Sequence, residues 1–190
     1  MQGEVVSVYV GVSGTLDKAR DQRIEFMLDG IVGDRHRGMG RKTWESTDKQ
    51  PGGTERRNER QWSAIAYEDL QAISEEMELA RPLTAGSIAV NLCLKGIPNF
   101  SKLPRGTVLQ FSSGVVLIVE EYNPPCSRMS NYLAKQFVTR SGSNLSQSAF
   151  IDAAKFRRGL VGVVEVSGAV AAGDTVTVAP EILPKWLRDT

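Results

Sequence analysis

Cysteine and histidine are scarce: the chain has two cysteines, Cys93 and Cys126, and one histidine, His36. No CxxC spacing occurs, which excludes a cysteine-based zinc site or a disulfide framework and points to a reducing cytoplasm. Charge of one sign is also missing. Lys and Arg number 23 against 22 Asp and Glu, a net +1, so no global field steers the chain toward nucleic acid or an acidic membrane surface. No apolar run approaches the ~20 residues that span a bilayer. The opening MQGEVVSVYV lacks the basic-then-apolar layout of a signal peptide. Gly at 18 and Pro at 8 suit many turns but no collagen-like array. What is present is ordinary for a globular protein: 190 residues, 41% hydrophobic and 24% charged. Against a prior of one domain per roughly 150 residues, this reads as one domain over 1–190.

Periodicity then sketches the elements. Val6, Val8, Val10 and Val12 alternate on one face of a first strand, with Ser7 on the other. Ile24, Phe26 and Leu28 alternate again before an Asp29-Gly30 turn signal. Residues 38–60 are polar and glycine-rich and read as a long, mobile loop. Trp62 to Ala66 leads into a helix near Glu68 to Leu79, with Leu70, Ile73 and Met77 on one stripe. Val108 to Phe111 and Val115 to Glu121 flank Ser112-Ser113-Gly114 as a hairpin. A helix follows Pro124-Pro125 with Met129, Leu133 and Phe137 as its stripe, and another helical stretch is expected near Ser146 to Arg157. Leu160 to Val166 and Thr175 to Val178 read as a further β pair, and Ile182 to Leu187 as a short amphipathic end. The sum is mainly β with interspersed helices, and short, turn-rich strands suit a barrel or strongly curved sheet.

Chemistry concentrates in two segments. Cys126 follows two prolines in YNPPCSRM, so a stiff chain delivers it to the start of a helix. There it meets unpaired N–H groups and the positive end of the helix dipole, and with Arg128 nearby these favour the thiolate. The alternative is a buried structural cysteine, which is also the reading for Cys93 inside the apolar run Ile88 to Leu94. The second segment is Gly30 to Gly38, GIVGDRHRG, where Asp34, Arg35, His36 and Arg37 sit among glycines. Forked guanidinium groups and open backbone make it an anion-recognition turn or a solvated basic one; it is neither a Walker A loop nor a dinucleotide fingerprint. Residues 35–60 hold eight Arg or Lys against four Asp or Glu, as a solvated face or a site for a phosphate-rich ligand. With aromatic interleaving limited to Trp44 and Trp62, nucleic acid comes last. Arg157-Arg158 adds a basic pair, and Asn91 in the apolar run AVNL needs a defined partner.

These segments resemble a MOSC domain, the module named for the C-terminal part of molybdenum cofactor sulfurases, in its small stand-alone bacterial form. The resemblance is carried in order by GIVGDRHRG, PLTAGSIAVNL, LPRGTVLQFSSGVVLIVEEYNPPCSRM and FRRGLVGVVEVSGAVAAGDTVTV, about residues 24–178. It implies a barrel-like β fold of the pyruvate-kinase β-barrel type with flanking helices. It also implies a site for the pyranopterin molybdenum cofactor or a sulfur group, and one functional cysteine. That cysteine falls on Cys126, as a persulfide carrier or molybdenum ligand; Asp34, Arg35, His36, Asn91 and Arg157 or Arg158 fall on the other motif positions. Two departures stand out. Ala89-Val90-Asn91-Leu92 lacks the acidic residue of the Gly-Glu-Asn-Leu step of many members, and Tyr122-Asn123 replaces an arginine before the Pro-Cys step. Pyridoxal phosphate is a family association only, because 190 residues leave no room for its domain. The expected function is a molybdenum-cofactor-dependent oxidoreductase, acting on small molecules such as N-hydroxylated compounds, or a sulfur transferase partnered by a cysteine desulfurase. The alternative is a non-catalytic module that binds a phosphorylated ligand or nucleic acid through its basic turn.

Overall fold

The computed structural model describes residues 1–12, 14–44 and 48–179, and the expected amphipathic end at Ile182 to Leu187 lies outside them. In chain order, β1 (Gln2–Val10), β2 (Ala19–Asp21), β3 (Arg23–Met27), β4 (Gly30–Ile31), β5 (Gly40–Lys42), β6 (Glu55–Arg57) and β7 (Trp62–Ala66) precede helix α1 (Tyr67–Glu76). Then come β8 (Leu92–Lys95), β9 (Val108–Phe111), β10 (Val116–Tyr122), α2 (Ser127–Gln136), α3 (Ala149–Ala153), β11 (Leu160–Val166), β12 (Gly168–Ala171) and β13 (Thr175–Ala179).

Seven strands close into a barrel in the order β1-β8-β7-β11-β10-β9-β13 and back to β1. All neighbours are antiparallel except β7 and β8, which α1 connects as a parallel pair. The alternation of β7 and β8 explains why both read as continuous apolar runs. Ala64, Ala66, Leu92 and Leu94 point into the barrel, while Ile65 and Cys93 point outward into a second core against the helices. Strands covered on both faces have no polar side to show. The helical stripes fill that second core: Leu70, Ile73 and Met77 of α1, then Met129, Leu133 and Phe137 of α2. Each such side chain contributes about 1.5–3 kcal/mol by leaving water.

Close approaches fix where the strands meet. A Cβ on Gly162 would lie 1.9 Å from the Ile118 carbonyl oxygen and 2.5 Å from the Trp62 ring. Only glycine lets β10, β11 and the Trp62 indole share that space.

Several expectations shift. The valines of β1 do not share one face, because the register slips between Val5 and Ser7 and sends Val5 and Val8 inward. Val12 and Leu28 end up exposed. β11 and β13 are not partners: β11 lies between β10 and β7, and β13 between β9 and β1. β12 intervenes and pairs with β3 instead. The stretch 38–60 contains the β5–β6 hairpin, braced by Asp48 and Glu59, nearly buried carboxylates that share Arg41 and Arg56. Among the described residues, no helix is long and apolar enough to cross a membrane.

Candidate functional site

Asp34 is the hub of the first segment. Its Oδ2 accepts from the Gly11 N–H at 3.0 Å, Lys18 Nζ at 2.7 Å and Asn91 Nδ2 at 2.8 Å. Its Oδ1 accepts from the His36 N–H at 3.0 Å and faces His36 Nδ1 at 3.1 Å. Burial alone would raise the carboxyl pKa; the His36 hydrogen bond and the Lys18 ammonium outweigh it and hold Asp34 well below the usual carboxylate range. Lys18 is also lowered, to about 8, by burial acting against the pull of Asp34. At neutral pH the pair is ionised.

An ionised carboxylate only accepts, so His36 Nδ1 carries the proton and Nε2 keeps its lone pair. Burial holds His36 below its ordinary value against the hydrogen bond to Asp34, and 40% of its side chain is exposed. Asn91 finds the partners its apolar strand demanded. Its amide donates to Asp34 and the Tyr9 carbonyl, and its Oδ1 accepts from the Ser63 N–H and hydroxyl. With all four positions filled, Asn91 serves the hub.

The arginines of this segment are occupied. Arg35 donates to the Thr15, Leu16 and Val12 carbonyls, stitching residues 12–16 to the turn. Arg37 forks onto Asp29 at 2.8 and 2.9 Å on the surface. Arg157 pairs with Glu76 at 2.7 Å, also on the surface. These last two face away from the Asp34 network into ion pairs of their own.

The second segment is built around Cys126. Its extended backbone (φ −128°, ψ 154°) caps α2, and its carbonyl accepts the first helical bond from Ser130. No side chain caps this helix start and no acidic residue lies in its first turn, where Arg128 is exposed. The thiol is exposed, whereas Cys93 is buried and its thiol is pushed up to about 12 by desolvation. Only one cysteine here is chemically available.

Within electrostatic reach of Cys126 lies Arg158, only 6% exposed. Its Nη2 donates to the Ile88 carbonyl, while Nε and Nη1 are buried with no partner among the described residues. Burial pushes the guanidinium down to about 10, and Cys126 is the group whose charge opposes that most strongly. A buried guanidinium with two unused donor atoms is costly, and it persists next to a thiol that can become an anion.

Four further residues complete the site: Tyr122 and Asn123, noted from sequence only as a departure from the family pattern, and Arg60 and Asn58, which sequence did not single out. Arg60 Nη2 donates to Asn123 Oδ1 at 2.6 Å, and Asn123 in turn donates its N–H to the Gly159 carbonyl. Asn58 links the two segments: its amide donates to the His36 carbonyl, and its Oδ1 accepts the Arg60 N–H. Tyr122 pins the turn that carries Arg158, accepting from the Phe156 N–H at 2.8 Å and donating to the Ala154 carbonyl. The one available signal was Arg60 itself, a cation just before a mainly apolar strand. Lys18 had none.

Among the described residues, no group of three His, Cys, Asp or Glu side chains is placed to hold a metal ion.

The family model for the MOSC domain matches residues 36–177, from His36 into β13. The chain belongs to the MOSC domain family. This MOSC chain is 28% identical over 178 residues, 94% of its length, to a Bacillus subtilis protein of which that covers 91%. That relative is named among "putative metal-sulfur cluster biosynthesis proteins" as YuaD. The YuaD crystal structure superposes with a TM-score of 0.88 at 26% identity, covering 96% of this chain and 98% of YuaD. YiiM from Geobacillus stearothermophilus shares the fold alone, with a TM-score of 0.62 at 16% identity over 93% of this chain and 75% of YiiM. The expected mainly β, barrel-like architecture is thus that of a MOSC fold.

Proposed function

We propose that this MOSC protein carries sulfur on Cys126 as a persulfide and passes it toward a metal–sulfur centre. In loading, the Cys126 thiolate attacks the outer sulfur of a cysteine desulfurase persulfide. The new S–S bond forms on Cys126, the donor's S–S bond breaks, and the donor leaves as thiolate with no net oxidation. One observation carries the reading: an exposed cysteine at an uncapped helix start lies within electrostatic reach of a buried guanidinium that has two donor atoms unpartnered among the described residues. That environment stabilises a sulfur anion whether it is thiolate or persulfide. The name of YuaD supports it. The Asp34 hub is the support, tying His36, Gly11 and Lys18 together.

The test is persulfide labelling after incubation with a desulfurase and cysteine. Wild type should gain label on Cys126 and not on Cys93, and Cys126→Ser should gain none. Because Cys126 is exposed, its replacement should change stability by less than about 0.5 kcal/mol. An unlabelled wild type would end the proposal.

A second reading is favoured by the same orphaned guanidinium. A molybdenum cofactor fits these residues: the soft Cys126 thiolate would ligate the metal, and Arg158 and Arg60 would face the cofactor's anionic groups. The cofactor would supply two-electron redox chemistry, while this chain's residues bind and orient it. Metal analysis of wild type and Cys126→Ser from a molybdenum-replete host separates the two. Molybdenum bound to wild type and lost in the variant establishes ligation; none in either removes it.

A further inference from the structure

The positive groups around Cys126 exceed what one sulfur anion requires. Arg158 lies within electrostatic reach of it, with Nε and Nη1 unpartnered among the described residues. Arg60 hydrogen-bonds Asn123, three residues before the thiol, with about a fifth of its side chain exposed. The ten-residue helix α2 begins at the thiol with no side-chain cap and no acid in its first turn, and Arg128 is exposed there. Arg60 is itself opposed by Glu121, largely exposed and 3.8 Å away, and by Glu59 and Asp48, which precede it in the sequence. A thiolate approached by a second anion is repelled, and surplus cations flanking it remove that barrier.

We propose that Cys126 also takes sulfur directly from a small sulfane-bearing dianion of the thiosulfate class, bound between Arg60 and the start of α2. This rests on the sulfur-carrier reading and adds a substrate to it. The thiolate attacks the outer sulfur of thiosulfate, and the S–S bond to the sulfonate breaks with its electron pair leaving on sulfite. Cys126 keeps the sulfur as a persulfide anion. The charge of minus three is conserved, and neither an oxidant nor a reductant enters. Arg158 serves the sulfur that stays and Arg60 the sulfonate that leaves.

The experiment loads the full chain with thiosulfate and, in parallel, with a small alkyl persulfide. It measures the mass gain of one sulfur on Cys126 and the sulfite released. Thiosulfate should load wild type with one sulfite per persulfide, and its rate should fall with ionic strength more steeply than the alkyl persulfide rate. Arg60→Gln should slow thiosulfate loading by at least about tenfold beyond any effect on the alkyl persulfide, as loss of one charge facing a dianion requires. Arg60→Lys, which keeps the charge, should restore most of it. Loading by the alkyl persulfide but not by thiosulfate overturns this proposal and leaves the carrier reading standing. Loading by neither overturns both. Equal slowing of both donors by Arg60→Gln, with equal salt dependence in wild type, overturns the anion site.

Discussion

Replacing Asp34 by asparagine removes one charge from a carboxylate that receives three donors on one oxygen and faces His36 with the other. The critical partner is Lys18, whose side chain is 0% exposed and 2.7 Å away, with Asp34 itself 1% exposed. At that distance and an effective dielectric of about 20, the pair attracts by about 6 kcal/mol. Much of this offsets the desolvation of the two ions, so the pair's net contribution is small. The single substitution is a different matter, because it leaves Lys18 buried without its counter-charge, and Asp34→Asn should cost about 3–5 kcal/mol. Urea unfolding with an unchanged m-value measures it. Lys18→Met added to Asp34→Asn should recover most of the loss, since the stranded ammonium is gone. Strictly additive losses, or a single-variant cost under about 1 kcal/mol, would refute the picture of an ionised buried pair. The pH dependence gives an independent check. Lys18 binds its proton less tightly folded than unfolded, about 8 against 10.5, so the unfolded chain holds more protons between those values. Stability should therefore rise with pH across that window. Asp34, held low when folded, contributes stability that is present above the unfolded carboxylate range and is lost as the pH falls through its folded value.

Other substitutions probe the Arg158 turn. A Cβ on Gly159 would lie 2.0 Å from the Ala64 carbonyl oxygen, and its φ is +90°, so Gly159→Ala should lose about 3 kcal/mol or more in denaturant unfolding. Phe156 is 64% exposed at φ 64°, and Phe156→Gly should raise stability by about 0.5–1 kcal/mol. A loss in thermal unfolding would show that its ring contact with Tyr122 matters more. Tyr122→Phe removes the hydroxyl that holds this turn, costing about 1–2 kcal/mol, and should slow persulfide loading of Cys126; unaltered loading kinetics would show that Arg158 keeps its place without it.

What the sequence disclosed was local. The Val108–Phe111 and Val115–Glu121 hairpin, the Leu70-Ile73-Met77 stripe and the start of α2 at Cys126 follow from turn residues, helical spacing and proline geometry, all within a dozen positions. What it hid depends on distant chain. The bulge in β1 reflects its three partners, and β11 and β13 each chose neighbours that periodicity cannot name. Site residues divide the same way. Asn91's need for a partner was legible, but not that Asp34, 57 positions away, would meet it. Arg60 reaches Asn123 across 63 positions, and Lys18 reaches Asp34 across 16, neither pairing being marked by any local signal. Arginine content drew attention to Arg35 and Arg37, yet those guanidinium groups hold backbone and Asp29, and the one buried with donor atoms unpartnered among the described residues is Arg158 of the Arg157-Arg158 pair.

The pairing of Gln2–Glu4 with Thr175–Thr177 makes the first strand wait for the last described one. A ribosome must release nearly all of these residues before the cylinder can seal, and until then β1 offers an open edge to any passing strand. Such a chain folds slowly for its size because its decisive contacts are far apart in sequence, and a nascent copy has reason to meet a chaperone before β13 arrives to close it.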